Sequence, residues 1–192
     1  MTDQTGGDGI AGALGNAVFR HEQSRQFAAY MLALPRRDNC PLRSAFDPVH
    51  ILRLLPRIII RERVADGAFR YRLLGTELQS YMGHDPTGQL VAKGVGDRAA
   101  GPLQVSMNRM MDHPCGLRCV ISFIDNAGRI ALLEYVSFPF SGVTPAQQIS
   151  HVAILDRAAT METTEAAAAH EIHEMEGFDL GAGRPDFSDI TL

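Results

Sequence analysis

The 192-residue sequence lacks several features that would assign it to a common class of protein. It has no run of the roughly 18 apolar residues that a membrane-spanning helix needs. Its first fifteen residues hold five glycines and no Lys or Arg, so they do not have the basic segment of a secretory signal. We therefore expect a soluble, cytoplasmic protein that does not contact a membrane.

Lysine is almost absent. The sequence has one lysine, Lys93, and 17 arginines. The formal net charge of −4 divides unevenly, with +5 on residues 17–157, −2 on residues 1–16 and −7 on residues 158–192. The arginines are dispersed and no basic run exceeds two residues, which excludes a nucleic-acid partner. The acidic tail either shields an Arg-rich sheet face or keeps the chain soluble.

Motifs of catalysis and metal binding are also missing. The sequence has no nucleophile elbow, no phosphate-binding Gly-rich loop with Lys, and no constellation of metal ligands. Cys40, Cys115 and Cys119 lack C-x-x-C spacing, which favours buried reduced thiols over a redox or metal role. We therefore predict that the protein is not an enzyme and holds no metal.

An amphipathic helix is predicted over residues 16–34, with Asn16 as its cap. Its apolar residues fall on one stripe of a helix. This helix either lies on its own domain or is shared between two subunits of a homodimer. The candidate dimer surface consists of Phe19, Phe27, Tyr30, Met31 and Leu34.

Alternating apolar residues predict strands, the first two of which are joined through Asp66 and Gly67 as a hairpin. Helical spacing predicts a longer helix over residues 97–112. The order of elements predicts an α+β fold, with a five-stranded antiparallel sheet and helices on one face. The predicted units are a flexible Gly-rich segment (1–15), the amphipathic helix (16–34), the sheet domain (35–157) and a helical or disordered acidic tail (158–192).

Four strings occur in an order that resembles a family of short bacterial PAS-like proteins, the PAS_5 family. They are SAFDPVHILRLLP (44–56), FRYRLLGTEL (69–78), GHDPTG (83–88) and LLEYVSFPF (132–140). The resemblance covers roughly residues 27–156 and implies a PAS fold in a stand-alone sensory or signalling module. Such a module would sense a small ligand, associate with itself or bind a signalling protein. Many members carry a Trp near the position of Met31, and because this sequence has no Trp we expect that helix to pack differently.

A ligand pocket is predicted between the inner face of the sheet and the central helix, where methionines are frequent. Methionine suits adaptable binding surfaces, although the same residues could simply fill the core. A ligand would be small and mostly apolar, with polar contacts from Tyr71, Tyr135 or Arg109. The candidate pocket residues are Ile60, Tyr71, Leu73, Leu78, Met82, Leu103, Met107, Met110, Met111, Cys119, Ile121, Tyr135 and Ile154.

Two alternative functions depend on a few ionisable residues. Some PAS domains bind haem through a His near the central helix, which makes His84 and His113 the candidates, although we disfavour haem as the cofactor. An enzyme with a cone-like α+β cavity would need Glu134 and Tyr135 inside it, with the pKa of Glu134 strongly raised.

Overall fold

A computed structural model describes residues 19–93, 97–160 and 171–190 of the chain. Its α-helices are α1 (Glu22–Ala33), α2 (Thr76–Met82) and α3 (Asp97–Asp112). Its strands are β1 (Arg36–Arg37), β2 (Cys40–Pro41), β3 (Ile58–Arg63), β4 (Phe69–Leu74), β5 (Cys115–Ile124), β6 (Arg129–Pro139), β7 (Gln147–Thr160) and β8 (Ile172–Asp179). Single 3-10 turns lie at Arg43–Ala45, Pro48–Ile51, Leu55–Arg57, Ala65–Gly67 and Val91–Lys93.

The central feature of the described residues is a six-stranded antiparallel sheet in the order β4-β3-β7-β6-β5-β8. The predicted α+β class is therefore confirmed. The predicted five strands are wrong by one, because β8 comes from the tail that was expected to be helical or disordered. The structure does not describe residues 161–170 of that tail. The segment 1–15, which was predicted to be flexible, also lies outside the described residues.

Strand β8 pairs along β5 at one edge of the sheet. Its apolar residues Ile172 and Phe178 are buried. Its carboxylate Glu174 accepts a hydrogen bond from Arg118 Nη1 at 2.8 Å and also pairs with Arg20. The acidic composition suggested an unstructured tail because the arginines that neutralise it lie far away in the sequence.

Helix α1 covers one face of the sheet, which we call the outer face. Phe27 and Met31 are fully buried there, in one cluster with Phe138 and Ile149. The helix starts at Glu22, later than predicted, and the proposed cap at position 16 lies outside the described residues.

The other face, here called the inner face, is covered by α2, α3 and the segment between β4 and α3. The sheet therefore has helices on both faces, whereas the sequence predicted one. The sheet has this second covered face because α1 packs on it. Strand β3 is therefore buried on both sides. Such a strand shows no alternation of apolar and polar residues that would distinguish its two sides.

Candidate functional site

A cavity of about 60 Å³ lies between the inner face of the sheet and the helices α2 and α3. Nine of the thirteen predicted pocket residues line it, and these are Tyr71, Leu78, Met82, Leu103, Met107, Cys119, Ile121, Tyr135 and Ile154. Residues that the sequence did not suggest complete the lining, and they are Ile59, Arg61, Leu74, Tyr81, Val91, Ala99, Ser106, Leu117, Phe123, Leu133 and Ser137.

The hairpin of β3 and β4 accounts for two of the four predicted residues that lie elsewhere. Ile60 packs in the outer-face cluster beneath α1, because its neighbour Ile59 takes the inward position. Leu73 is 44% exposed. The β3–β4 register shifts between Ile60 and Arg61, and this irregularity turns Leu74 inward in place of Leu73.

The other two predicted residues belong to α3 but do not line the cavity. Met110 is fully buried in a cluster with Cys115 and Phe187, beside the cavity and nearer the C-terminal segment. Met111 is partly buried and packs against the edge of the same helix–sheet layer. Both therefore pack in the core, the alternative to a ligand site that the frequent methionines left open.

Most of the cavity wall is aliphatic or aromatic. Met82 and Met107 supply two unbranched side chains that can change rotamer at low cost. A volume of about 60 Å³ holds a few water molecules, since one water needs roughly 10–15 Å³. The cavity is thus small, and two of the side chains in its wall are flexible.

One part of the wall is polar and centres on Arg61, which is only 7% exposed. Its Nη1 donates a hydrogen bond to Ser150 Oγ at 3.1 Å, and that hydroxyl lies 2.7 Å from Ser137 Oγ. The guanidinium carbon lies 5.7 Å from the centroid of the Tyr71 ring, within cation–π distance. The cavity therefore presents a fixed positive charge beside hydroxyl groups.

The charge of Arg61 acts on its neighbours in the cavity. Burial raises the pKa of the Tyr135 phenol well above its usual value, and Arg61 opposes part of that rise. Burial likewise raises the pKa of the Cys119 thiol to about 12, again with Arg61 acting in the opposite direction. Both groups are thus neutral near pH 7, so the guanidinium provides the formal charge on this part of the wall.

Glu134, the carboxylate of the enzyme alternative, lies outside the cavity on the outer face. It accepts hydrogen bonds from the backbone N–H of Arg20 at 2.9 Å and from Arg118 Nε at 2.6 Å. Burial acts to raise the pKa of Glu134, but these donors outweigh it and hold the pKa below its usual value. The raised pKa that the enzyme alternative requires is therefore not found at this residue.

The other predicted polar residues also point away from the cavity. His84 and His113, the haem candidates, are both exposed and do not line it. Arg109 pairs with Asp189 and donates to the backbone oxygen of Asp186 at 2.5 Å, so it fastens the C-terminal segment to α3. Within the described residues, no group of three His, Cys, Asp or Glu side chains is arranged to hold a metal.

The five candidate dimer residues are covered by the chain's own sheet. Phe19, Phe27 and Met31 are buried in the outer-face cluster, and Tyr30 and Leu34 pack partly buried against it. The helix thus lies on its own domain, the first of the two alternatives. Self-association through this helix and a signalling protein partner stay predictions.

An antiparallel sheet whose inner face is covered by helices around a small cavity fits the PAS class of sensory fold. A family model described as a PAS domain, PAS_5, matches residues 19–155, more than two thirds of the chain. The chain belongs to this PAS family, as its sequence strings predicted, and is a module of the sensory and signalling type. Neither a search of curated proteins nor one of solved structures found a match.

None of the helices in the part of the chain that the structure describes has the length and apolar character needed to span a membrane.

Proposed function

We propose that this protein is a PAS sensor whose input is a small, mostly apolar molecule bound in the inner-face cavity. The observation that carries the proposal is the cavity itself, enclosed by apolar side chains from the sheet and from both inner-face helices. Enclosed apolar pockets with a few polar groups are the usual form of small-molecule sites.

The cavity wall links the ligand to the parts of the fold that would carry a signal. Met82 belongs to α2, Met107 to α3 and Tyr135 to the sheet, so one bound molecule would touch three elements at once. A ligand that prefers one arrangement of these elements shifts the population toward it. The output would then reach a partner protein or a second copy of the chain through the repositioned helices.

A filled cavity provides the direct test. Ser106 is fully buried on the cavity wall, and its hydroxyl donates to Leu103 O of its own helix at 2.9 Å. Ser106→Leu places a larger apolar side chain in the space a ligand would use. Val105→Leu, at a position that is 49% exposed, is the matched control on the neighbouring residue.

Thermal unfolding with hexanoate and with 1-hexanol measures the effect. A ligand at ten times its Kd stabilises the wild type by about 1.4 kcal/mol, which raises Tm by roughly 3 to 6 °C. We expect Val105→Leu to keep this rise and Ser106→Leu to lose it, with both variants folded in the absence of ligand. The proposal fails if neither compound raises the wild-type Tm, or if Ser106→Leu responds as the wild type does.

A further inference from the structure

We infer that the cavity recognises the carboxylate of a small organic acid through the guanidinium of Arg61. The inference rests on the proposed function and deepens it by naming the chemical class of the ligand.

Charge pairing in the rest of the molecule makes Arg61 an exception. The described residues bury five charged side chains, which are Arg61, Glu62, Arg118, Asp125 and Glu134. The last four are all paired: Glu62 with Arg70, Arg118 with Glu134 at 2.6 Å and Asp125 with Arg129 at 2.7 Å. Arg61 has no carboxylate partner among the described residues. An uncompensated buried charge is strongly destabilising, which implies that a partner arrives from outside.

The groups that contact Arg61 satisfy only part of its hydrogen-bonding capacity. A guanidinium offers five N–H donors, and among the described residues Arg61 donates one hydrogen bond, to Ser150 Oγ. Its Nε is buried without a hydrogen-bond partner among the described residues. Donors in this planar fork match the two oxygens of a carboxylate.

Gln148 is a second buried polar group without a hydrogen-bond partner among the described residues, and it lies next to Arg61. It is fully buried, and neither its amide nitrogen nor its amide oxygen has a hydrogen-bond partner among the described residues. It stands directly opposite Arg61 in the β3–β7 register, which puts the two side chains on the same face of the sheet. We therefore expect this amide to donate a hydrogen bond to a carboxylate held by Arg61.

The apolar side chains in the rest of the cavity wall favour a carboxylate over a phosphate as the ligand's anionic group. One carboxylate neutralises one guanidinium, whereas a dianionic phosphate would leave a net negative charge among apolar side chains. The lining away from Arg61 is mostly aliphatic and aromatic, including Leu78, Leu133 and Ile154. The ligand is therefore a monocarboxylate with a short apolar body.

Calorimetric titration with hexanoate and with its neutral isostere hexanamide tests the inference on the full chain at pH 7. We expect the wild type to bind the acid roughly tenfold to hundredfold more tightly than the amide, as hydrogen bonds to charged groups are the stronger ones. Arg61→Gln should lose that preference and bind the two compounds alike. Arg61→Lys should keep part of it, because the charge remains but the fork does not.

Two further variants separate a lost site from a damaged fold. Arg63→Gln removes a cation that pairs with Asp112 at the end of α3 and does not line the cavity, and it should leave the preference unchanged. Gln148→Leu should weaken hexanoate and not hexanamide, which keeps the test valid if Arg61→Gln does not fold. Equal binding of acid and amide to the wild type overturns the inference but leaves the proposed function standing. Absence of binding by either compound overturns both.

Discussion

Among single residues, His151 is a buried group that the fold holds in its neutral form. It is fully buried beneath α1, and its ring lies 5.7 Å from the ring of Phe27. Neither ring nitrogen has a hydrogen-bond partner among the described residues. Burial lowers the pKa of His151 to about 3, helped by the charges of Arg57 and His21 and opposed by Glu134.

This residue predicts a pH dependence of stability. The unfolded chain protonates the imidazole near its usual pKa of about 6.5, while the folded chain resists protonation down to about pH 3. The unfolded state therefore binds more protons in that window, and the free energy of unfolding falls as the pH drops. By pH 5 the contribution of His151 is a loss of about 2 kcal/mol. His151→Phe, which keeps a ring against Phe27, should remove this part of the loss.

Urea unfolding at pH 7 and pH 5 measures the difference for each protein. His50→Gln is the control, because the side chain of His50 is 67% exposed, and this variant should retain the wild-type loss. An equal loss in His151→Phe and in the wild type would show that another group causes it.

At the scale of elements, the attachment of β8 to β5 depends on a glycine. A Cβ atom at Gly116 would lie 2.0 Å from the ring of Phe178 on β8. That ring cannot move freely, because it packs edge-on against Phe19 and Phe138 with centroids 6.0 and 5.3 Å away. The absence of a side chain at position 116 therefore lets β8, β6 and the segment just before α1 meet.

Two glycine-to-alanine substitutions test this packing. Gly116→Ala should lower the free energy of unfolding by about 1–3 kcal/mol, the usual cost of overpacking. Gly101→Ala, where a Cβ meets nothing within 4 Å on the exposed side of α3, should raise it by about 0.5–1 kcal/mol. Urea unfolding of both variants measures these changes. Equal effects of the two substitutions would show that Phe178 does not restrict this site.

Elements with a clear period were predictable from the sequence, and the facing of two-sided strands was not. The helix over residues 97–112 has the predicted bounds because its apolar spacing is regular. An arginine in an alternating run usually faces solvent, so the alternation around Arg61 does not indicate that this residue lines the cavity. Its true position depends on α1 covering the other face, and no local pattern contains that information.

The charge distribution of the whole molecule explains how the acidic tail joins the fold. Glu174 pairs with Arg118 and Arg20, and Asp189 pairs with Arg109. The sequence showed a basic body and an acidic tail but could not show which charges meet, since the partners are more than 50 positions apart. The pairing favours the view that part of this tail covers basic groups of the body.

Across the whole molecule, the two faces of the sheet have different roles. The outer face is closed by α1 around fully buried rings such as Phe27 and Phe138. The inner face keeps a cavity whose charged group, Arg61, has no acidic partner among the described residues. Stability comes from a tightly packed face, and the proposed sensing function depends on the face that is incompletely filled.

The most direct test of ligand binding in the cavity is a methyl NMR titration of the protein labelled at its methionine methyl groups, with hexanoate as the probe. Met82 and Met107 line the cavity, whereas Met31 is fully buried on the outer face. We predict that the Met82 and Met107 signals shift and saturate with one common Kd while Met31 stays in place. No saturable shift at Met82 and Met107, or an equal shift at Met31, would contradict ligand binding in this cavity.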